Sequence, residues 1–286
     1  MIPQDSTSSP IPPLNCAGIL LSSRPHIMGI LNVTPDSFSD GGDHVTQERA
    51  LAKAQQMVAE GATIIDIGGE STRPGAEPVS VQQEIDRILP VIQCIQQQLP
   101  VIISVDTSKP EVMQAAIAAG VHLINDVNAL QTEGAIAAIA ASSVAVCLMH
   151  RQGEPRTMQH RPTYTNVVQE VYDFLAQRVN ACQTAGIQNN RLVIDPGFGF
   201  GKTLEHNLSL VKHLSVFTQM GLPLLVGISR KSMIGRILDK PVHERLYGSL
   251  TFAILAAWQG ATIIRAHDIA ATQEALRIID AVYQAN

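Results

Sequence analysis

Two aspartates and an asparagine each lie at the end of a short apolar run, where they could bind a polar ligand. Asp106 ends "VIISVD", Asn125 lies in "HLIND", and Asp195 ends "LVID". A buried carboxylate is costly unless it is paired, so two of them predict a ligand that offers N–H donors or a positive charge. An amide beside them suits a flat, nitrogen-rich heterocycle, because it both donates and accepts. Capping of the helix that follows each residue remains the alternative.

Basic residues follow apolar runs in the same way, although the chain carries a net charge of −5. They are Arg73, Lys202, Arg230, Lys231 and Arg265. Basic side chains at one mouth of an acidic protein predict an anionic ligand. Arg265 and His267 are two residues apart on a predicted strand and face the same side, so with Asn32 they are candidates for binding phosphate oxygens. Solvated surface charge is the alternative, above all for Lys202.

Two side-chain oxygens add to this anion site. The amide oxygen of Asn32 is suited to Mg²⁺, which prefers oxygen ligands. Ser232, in "SRKSMIG", lies where a helix is predicted to begin, so its hydroxyl and the free backbone N–H groups could receive an anion. An ordinary helix cap is the competing role for Ser232.

The glycine-rich stretch "DPGFGFGKT", residues 195–203, ends like a phosphate-binding loop. A P-loop needs a second glycine, separated by four residues from the glycine of Gly-Lys-Thr. Pro196 holds that position relative to Gly201, and proline has no N–H to offer a phosphate. We therefore interpret the stretch as a tight loop after a strand and not as a nucleotide site.

Eight short apolar, β-branched runs alternate with longer stretches of helical character. The runs are 26–34, 63–68, 101–107, 122–127, 144–150, 192–197, 223–229 and 262–268. Parallel strands buried on both faces have this composition, and the alternation favours a (β/α)8 TIM barrel, an α/β fold, over an open sheet. In such barrels the chemistry lies at the carboxyl ends of the strands, which is where the polar residues occur.

An internal repeat supports the barrel. "GATIID", "GVHLIN" and "GATIIR" begin at residues 61, 120 and 260, and each glycine is predicted to close a helix in the left-handed conformation. The repeat places Asp66, Asn125 and Arg265 at one register on successive strands.

Two regions are predicted along the chain. Residues 1–13, with several Ser and Pro, form a flexible N-terminal extension, and residues 14–286 form a single barrel domain. Before the first strand, "LNCAGILLSS" predicts a small hairpin that plugs the lower mouth of the barrel. Four scattered cysteines without a C-x-x-C pair predict buried thiols in a reducing compartment.

Charge and hydropathy limit the classes of partner that the protein can have. The acidic balance gives no general attraction to nucleic acid or to an acidic membrane surface. The sequence contains no apolar run of membrane-spanning length and no secretory signal at its start. We expect a cytoplasmic protein that acts on small molecules, without a nucleic-acid or membrane partner.

The motifs together resemble those of dihydropteroate synthase, a family of pterin-binding (β/α)8 barrels. "MGILNVTPDSFSDGG", "DIGGESTRPGA", "SVDTSKPEV", "LIND", "CLMH", "TMQ", "DPGFGFGKT", "LLVGISRKSMIG" and "IIRAHD" occur in the family's order, from His26 to about Ile279. The resemblance implies a transferase of folate biosynthesis. It would join 6-hydroxymethyl-7,8-dihydropterin pyrophosphate to 4-aminobenzoate and release pyrophosphate and 7,8-dihydropteroate. It also implies Mg²⁺ and a homodimer.

The resemblance assigns roles by motif. The pterin would be bound by Asp106, Asn125, Asp195 and Lys231, with Met149 lining its slot. Pyrophosphate would be held by Asn32, Arg265 and His267, with Mg²⁺ at Asn32. Thr72 and Arg73 would belong to a mobile second loop. Phe200, Lys231 and Ser232 would form the aminobenzoate pocket, which sulfonamide drugs occupy in this family.

Some features leave alternatives open. A pterin-dependent methyltransferase shares the barrel and the Asp/Asn floor, but it should lack "STRPGA" and "SRKS", both present here. A non-catalytic pterin-binding paralogue should lack the pyrophosphate and aminobenzoate residues. Arg151 and Ala266 depart from the family's usual Met and Val. The apolar stretch "LTFAILAAW" is a candidate dimer interface, although burial against the barrel would explain it equally well.

Overall fold

The computed structural model describes residues 11–22, 24–34, 43–70, 79–153, 158 and 162–285. The strands are β1 (Leu14–Cys16), β2 (Ile19–Leu21), β3 (His26–Asn32), β4 (Ile64–Gly68), β5 (Ile102–Asp106), β6 (Leu123–Asp126), β7 (Ala145–Met149), β8 (Leu192–Asp195), β9 (Leu225–Val226) and β10 (Ile263–Ala266). The helices are α1 (Asp43–Ala59), α2 (Val81–Gln98), α3 (Pro110–Ala118), α4 (Ala135–Ala140), α5 (Val167–Thr184), α6 (Leu204–Lys212), α7 (Ser215–Thr218), α8 (Ser232–Leu238), α9 (Leu246–Trp258) and α10 (Ile269–Gln284). Short 3₁₀ turns occur at Asn189–Arg191 and Val242–Glu244.

Strands β3 to β10 are parallel and follow one another in the order β8-β7-β6-β5-β4-β3-β10-β9. A parallel bridge between Ile194 and Leu224 joins the two ends of the sheet and completes the ring. The predicted (β/α)8 barrel is therefore confirmed. The seventh barrel strand, Leu225–Val226, is shorter than its apolar run, 223–229.

Barrel strands present alternate residues to the interior and to the surrounding helices, as the two-residue period of a strand requires. The lowest interior layer is apolar and contains Met28, Ile64, Ile102, Leu123, Ala145, Val193, Leu225 and Ile263. The next layer up is formed mainly by Asp66, Ser104, Asn125, Cys147 and Arg265, and the rim by Asp106, Met149, Asp195 and His267. The interior thus changes from apolar to polar towards the carboxyl ends of the strands.

A hairpin closes the lower end. Strands β1 and β2 pair antiparallel, and Leu14, Cys16 and Leu21 pack into the lowest interior layer. This confirms the predicted plug. Of the predicted extension, residues 1–10 lie outside the described residues, so its flexibility stays a prediction.

The repeat also has its expected geometry. Gly61, Gly120 and Gly260 all have positive φ, at 108°, 85° and 99°, and each follows the end of a helix and precedes a strand. This conformation turns the chain from the outer ring back into the barrel.

Two predictions about composition can be compared with the fold. Cys16, Cys147 and Cys182 are buried free thiols, and Cys94 is partly buried and free. In the part of the chain that the structure describes, no helix combines the length and apolar character that crossing a bilayer requires.

The plug makes a stability prediction. Leu14 is 2% exposed, and Leu14→Ala should lower the free energy of unfolding by about 2–4 kcal/mol because it leaves a cavity. Leu20 lies in the same hairpin but is 65% exposed, so Leu20→Ala should change stability by no more than about 0.5 kcal/mol. Urea denaturation followed by circular dichroism measures both variants. Equal losses would contradict the packing described for the hairpin.

Candidate active site

Asp66 is a fully buried carboxylate at the centre of the polar layer. It accepts hydrogen bonds from Ser104 Oγ at 2.6 Å, Asn125 Nδ2 at 3.0 Å and Arg265 Nε at 2.7 Å. These donors replace the water that the carboxylate loses on burial. The three residues that the repeat placed at one register are therefore in direct contact.

Arg265 connects Asp66 to a second carboxylate, Asp106. Its Nη2 donates to Asp106 Oδ2 at 3.0 Å, so one guanidinium bridges carboxylates from β4 and β5. The other oxygen, Asp106 Oδ1, is buried and has no hydrogen-bond partner among the described residues. Burial raises the pKa of Asp106 to about 7, and Arg265 opposes that rise. A ligand N–H donor would satisfy this acceptor.

Asp195 provides the carboxylate at the end of β8. Its Oδ1 accepts a hydrogen bond from the backbone N–H of Gly197 at 2.7 Å. Burial raises the pKa of Asp195, and the nearby ammonium of Lys231 is the strongest influence in the opposite direction. The carboxylate is thus held by the loop that follows it.

The helix-cap alternative is wrong for Asp106, Asn125 and Asp195. The helices that follow their strands have other N-cap residues, which are Lys109 for α3, Gly134 for α4 and Thr203 for α6. The three polar side chains occupy strand positions facing the interior, where they are available to a ligand.

The loop after β8 lies directly against the end of β7. Gly197 and Gly201 have positive φ, at 69° and 63°. A Cβ atom at Gly197 would lie 1.8 Å from the carbonyl oxygen of His150, and one at Gly201 would lie 2.2 Å from that of Gln152. Glycine is required at both positions because the two backbones approach so closely.

Lys231 reaches this loop from the opposite side. Its ammonium donates to the carbonyl oxygen of Phe198 and lies 4.6 Å from the centre of the Phe200 ring. Burial lowers the pKa of Lys231 to about 8, while Asp195 and Asp106 act in the opposite direction. Phe200 and Lys231, both predicted site residues, therefore form one surface.

The charged groups share one mouth. The pKa of Lys231 is affected by Asp195, Arg265 and Asp106, and the pKa of Asp195 is affected by Lys231, Lys202 and Arg265. Buried charges influence one another most strongly when they are close together. The carboxylates of Asp106 and Asp195 therefore lie at the same end of the barrel, and Lys231 and Arg265 act on both of them.

Three more predicted residues end strands at the same rim. Met149 pairs with Asp195 in the ladder between β7 and β8. Asn32 is the last residue of β3. His267 follows β10, and its Nδ1 lies 3.0 Å from Ser229 Oγ, which also accepts from the backbone N–H of His267 at 3.2 Å. Ser229 thus orients the His267 ring.

Two basic residues that the sequence grouped with the mouth are engaged elsewhere. Arg230 has left-handed backbone (φ 57°) and forms two hydrogen bonds with Asp268. Lys202 is only 3% exposed, so its interpretation as a solvated surface charge is wrong. Arg265 forms ion pairs with the carboxylates, Lys231 acts on the pKa of Asp195 and Asp106, and Lys202 acts on the pKa of Asp195 from its buried position.

The remaining predicted site residues are Ser232, Thr72 and Arg73. Ser232 is exposed and is the first residue of the seven-residue helix α8, whose N-cap is Lys231. The helix-cap alternative for Ser232 is therefore wrong. Thr72 and Arg73 lie outside the described residues, so their roles stay predictions. Residues 35–42 of the first long loop also lie outside them.

A partly buried ion-pair cluster connects the two flanks of residues 71–78. Lys109 Nζ donates to Glu70 at 2.7 Å, to Glu84 at 2.6 Å and to the carbonyl oxygen of Val79 at 2.9 Å. The backbone N–H of Val79 donates to Glu70 at 3.1 Å. The residues that enter and leave this segment are thus held to the start of α3.

Sequence reasoning did not include three of these supporting residues among the site residues: Asp66, Ser104 and Lys109. Ser104 lies two residues before Asp106 on the same strand face, and a polar residue in that apolar run was a usable signal. The internal repeat was a usable signal for Asp66, because it placed this residue at the same register as Asn125 and Arg265. Lys109 had none, because its partners Glu70 and Glu84 are distant in sequence.

The two departures from the family pattern leave the mouth intact. Ala266 packs in the layer between strands and helices. Arg151 donates from Nη2 to Asn128 Oδ1 at 3.2 Å, in the loop after β6.

The side chains available in the site decide what kind of Mg²⁺ site it could form. Within the described ranges, no group of three His, Cys, Asp or Glu side chains could hold a metal ion. Mg²⁺ commonly keeps several waters and takes one or two protein ligands together with substrate phosphate oxygens. The single amide oxygen of Asn32 at the rim fits that arrangement and does not fit an all-protein metal site.

Comparisons with known proteins agree with this geometry. Residues 28–267 match the model of the family described as "Pterin binding enzyme". The chain is 53% identical to the dihydropteroate synthase of Escherichia coli strain K12 over 263 residues, which cover 92% of this chain and 93% of that protein.

Solved structures show the same likeness. The dihydropteroate synthase of Xanthomonas albilineans with 4-aminobenzoic acid has a TM-score of 0.91 and 48% identity, covering 96% of this chain and 99% of that one. The Xanthomonas albilineans enzyme in complex with 7,8-dihydropteroate has a TM-score of 0.85 and 42% identity, covering 96% and 100%. Fold, motif order and identity over nearly the full length agree, and the chain belongs to the dihydropteroate synthases of the pterin-binding enzyme family.

Proposed function

We propose that this protein condenses 6-hydroxymethyl-7,8-dihydropterin pyrophosphate with 4-aminobenzoate, releasing pyrophosphate and 7,8-dihydropteroate. The observation that carries the proposal is the bridge that Arg265 makes between Asp66 and Asp106, which leaves the buried Asp106 Oδ1 without a hydrogen-bond partner among the described residues. That arrangement offers acceptors to the amino and ring N–H groups of a pterin and a cation to its pyrophosphate.

The pterin end of the site uses the two rim carboxylates and Asn125. Asp106 and Asp195 accept N–H donors, and Asn125 reads a mixed donor–acceptor edge. One N–H of Asn125 Nδ2 donates to Asp66, which leaves the amide oxygen and the second N–H for the ligand. Met149 lines the slot, and Lys231 contributes a donor from above.

Departure of pyrophosphate is the difficult step, because negative charge grows on the leaving oxygens. Arg265 and His267 would stabilise that charge in place, since both are held by other groups before the substrate arrives. The electron deficit left on the pterin methylene carbon would be eased by the carboxylates of Asp106 and Asp195.

Asn32 would hold Mg²⁺ through its amide oxygen, with the substrate supplying phosphate oxygens. When bound, the ion would offset charge on the pyrophosphate.

The second substrate would enter against the surface formed by Phe200 and Lys231, with Ser232 at its edge. The Phe200 ring would pack against the ring of 4-aminobenzoate, and the Lys231 ammonium would attract the carboxylate of this substrate. An aniline nitrogen has an available lone pair, so the reaction needs no strong base. Thr72 and Arg73 remain proposed contributors from the second loop.

The alternatives fit less well. A pterin-dependent methyltransferase has no use for the phosphate-directed pair Arg265 and His267, and a non-catalytic paralogue has no use for the Phe200–Lys231 surface. Both features occur in one mouth here.

We also propose a homodimer formed through α9 and α10, which pack against each other. Their exposed apolar side chains are Ile254, Leu255, Trp258, Ile278, Val282 and Tyr283. An exposed apolar area of this kind marks an interface. The opposite face of α9, with Phe252 and Ala256, packs against the barrel, so each alternative for "LTFAILAAW" describes one face of the helix.

Buried free thiols support a cytoplasmic location.

The proposed reaction predicts that pyrophosphate appears only when both substrates are present. Release should be slower without Mg²⁺, while the melting temperature stays unchanged because Asn32 alone does not build a structural metal site. Arg265→Ala should lower kcat about 100-fold and change the KM for 4-aminobenzoate about threefold or less. A coupled pyrophosphate assay measures all three results.

Arg236→Ala, on the exposed side of α8, is the matched control and should retain full activity. Melting curves check that Arg265→Ala is folded, because this variant leaves Asp66 with fewer partners. Equal losses in kcat and in aminobenzoate binding would contradict the proposed role of Arg265.

A second prediction follows from the raised pKa of Asp106, about 7. Below this pH the free protein holds a proton there, and a pterin N–H donor favours the carboxylate, so binding should release most of a proton near about pH 6 and almost none near about pH 9. Calorimetry of a dihydropterin without pyrophosphate, in buffers of different ionisation enthalpy, measures the release.

Asp106→Asn should abolish that release. Asp126→Asn is the control, because burial also raises the pKa of Asp126, to about 6, yet its oxygens accept from the backbone of Asn128 and Leu130. Unchanged proton release in Asp106→Asn would rule out this carboxylate as the ligand's acceptor.

The dimer proposal predicts that Ile278→Glu, at a side chain 67% exposed, halves the mass found by sedimentation velocity, because a buried unpaired charge destabilises an apolar interface. Leu20→Glu introduces the same charge at the lower hairpin and should leave the mass unchanged. A dimer that persists in Ile278→Glu would place the interface elsewhere.

A further inference from the structure

Lys202 is the residue of the glycine-rich loop that neither the substrate roles nor the dimer explains. Its Nζ lies 2.8 Å from the carbonyl oxygen of Gly197, 3.1 Å from that of Phe200 and 2.9 Å from His150 Nδ1. Carbonyl oxygens only accept hydrogen bonds, so Lys202 must donate to both of them in either protonation state. Its terminal nitrogen is therefore engaged by the loop and by the residue that follows β7.

The contact with His150 joins the loop to the neighbouring strand. His150 directly follows Met149 at the end of β7, and burial together with Lys202 lowers the pKa of His150 to about 2. His150 is therefore a neutral ring, held edge-on against Phe174 with 4.9 Å between ring centres. Lys202 thus bridges two successive barrel strands through a rigid partner.

The same contacts reach both substrate pockets. Gly197, whose carbonyl Lys202 binds, donates its N–H to Asp195, the proposed pterin acceptor. Phe200, whose carbonyl Lys202 also binds, carries the ring that lies under Lys231. Lys202 and Lys231 therefore hold the same loop from opposite sides.

Other contacts hold the far end of the loop. The backbone N–H of Gly199 donates to Asn207 at 2.7 Å, and Tyr164 donates its hydroxyl to the carbonyl oxygen of Gly201 at 2.9 Å. Loss of Lys202 would therefore leave the loop attached and remove the two hydrogen bonds that fix the carbonyl groups of Gly197 and Phe200. Small displacements of a positioned aromatic ring are costly for binding.

We propose that Lys202 is a positioning residue that sets the place of the Phe200 ring, and so the affinity for the aromatic amine, by donating to the Gly197 and Phe200 carbonyls from inside the fold. The inference rests on the proposed function. Asp195 keeps its own hydrogen bond to Gly197, so the pterin pocket depends on Lys202 less than the aminobenzoate pocket does.

The test compares Lys202→Met, which keeps the length of the side chain and removes its N–H donors, with Lys212→Met, an exposed lysine at the end of α6. Lys202→Met should raise the KM for 4-aminobenzoate about tenfold or more and change the KM for the pterin pyrophosphate about threefold or less. A dihydropterin alone should still raise its melting temperature. Lys212→Met should behave as the wild type.

Chemical rescue separates positioning from loss of packing. Lys202→Cys, treated with 2-bromoethylamine, regains an amine on a side chain of lysine length and should recover the aminobenzoate KM; wild type treated in parallel controls for the other cysteines. If Lys202→Met does not fold, Lys202→Gln, with an N–H donor on a shorter side chain, is judged by the same criterion.

Two outcomes would overturn the inference: equal changes in both KM values, or a lower melting temperature with neither KM changed. The proposed function fails separately, because inactive wild type and inactive Lys212→Met would reject the reaction itself.

Discussion

The structure of the mouth depends on one buried charge, Asp66. A carboxylate with no exposure is stable only if the protein supplies its hydrogen bonds, and Ser104, Asn125 and Arg265 do so from three other strands. The requirement works in both directions, since each donor loses rotational freedom when it binds Asp66. The result is that the amide of Asn125 and the guanidinium of Arg265 are oriented before any ligand arrives. Such preorganisation is the main source of electrostatic stabilisation in enzymes.

The alternation of strand residues makes this arrangement possible. Residues at every second position share the barrel interior, so an apolar layer below and a polar layer above come from the same strands. The apolar layer, closed by the β1–β2 hairpin, excludes water from beneath the polar groups. Lower dielectric strengthens the attraction between Arg265 and its two carboxylates and also raises the pKa of Asp106. The stability of the lower half and the chemistry of the upper half are therefore linked through burial.

The sequence predicted much of this, and the reasons for its failures are physical. Strand periodicity and the repeat predicted the barrel, the positions of Asp106 and Asp195 at strand ends, and the shared register of Asp66, Asn125 and Arg265. Side-chain direction in loops could not be predicted, because it depends on neighbours distant in the chain. Arg230 turns to Asp268, and Lys202 is buried under a loop whose two glycines allow close contact with His150 and Gln152. Charge alone therefore misplaced both residues, whereas the geometry of the strands placed Arg265 correctly.

Trp258 is the single tryptophan of the chain, and it stacks on Tyr283 at the exposed ends of α9 and α10, with 5.1 Å between ring centres and 16° between planes. The tryptophan fluorescence of the protein therefore originates at the carboxyl end of α9, whereas the polar residues of the mouth lie at the carboxyl ends of the strands. Changes in its emission wavelength report the hydration of the helical surface, while occupancy of the barrel by a ligand has to be followed by the absorbance or fluorescence of the ligand itself.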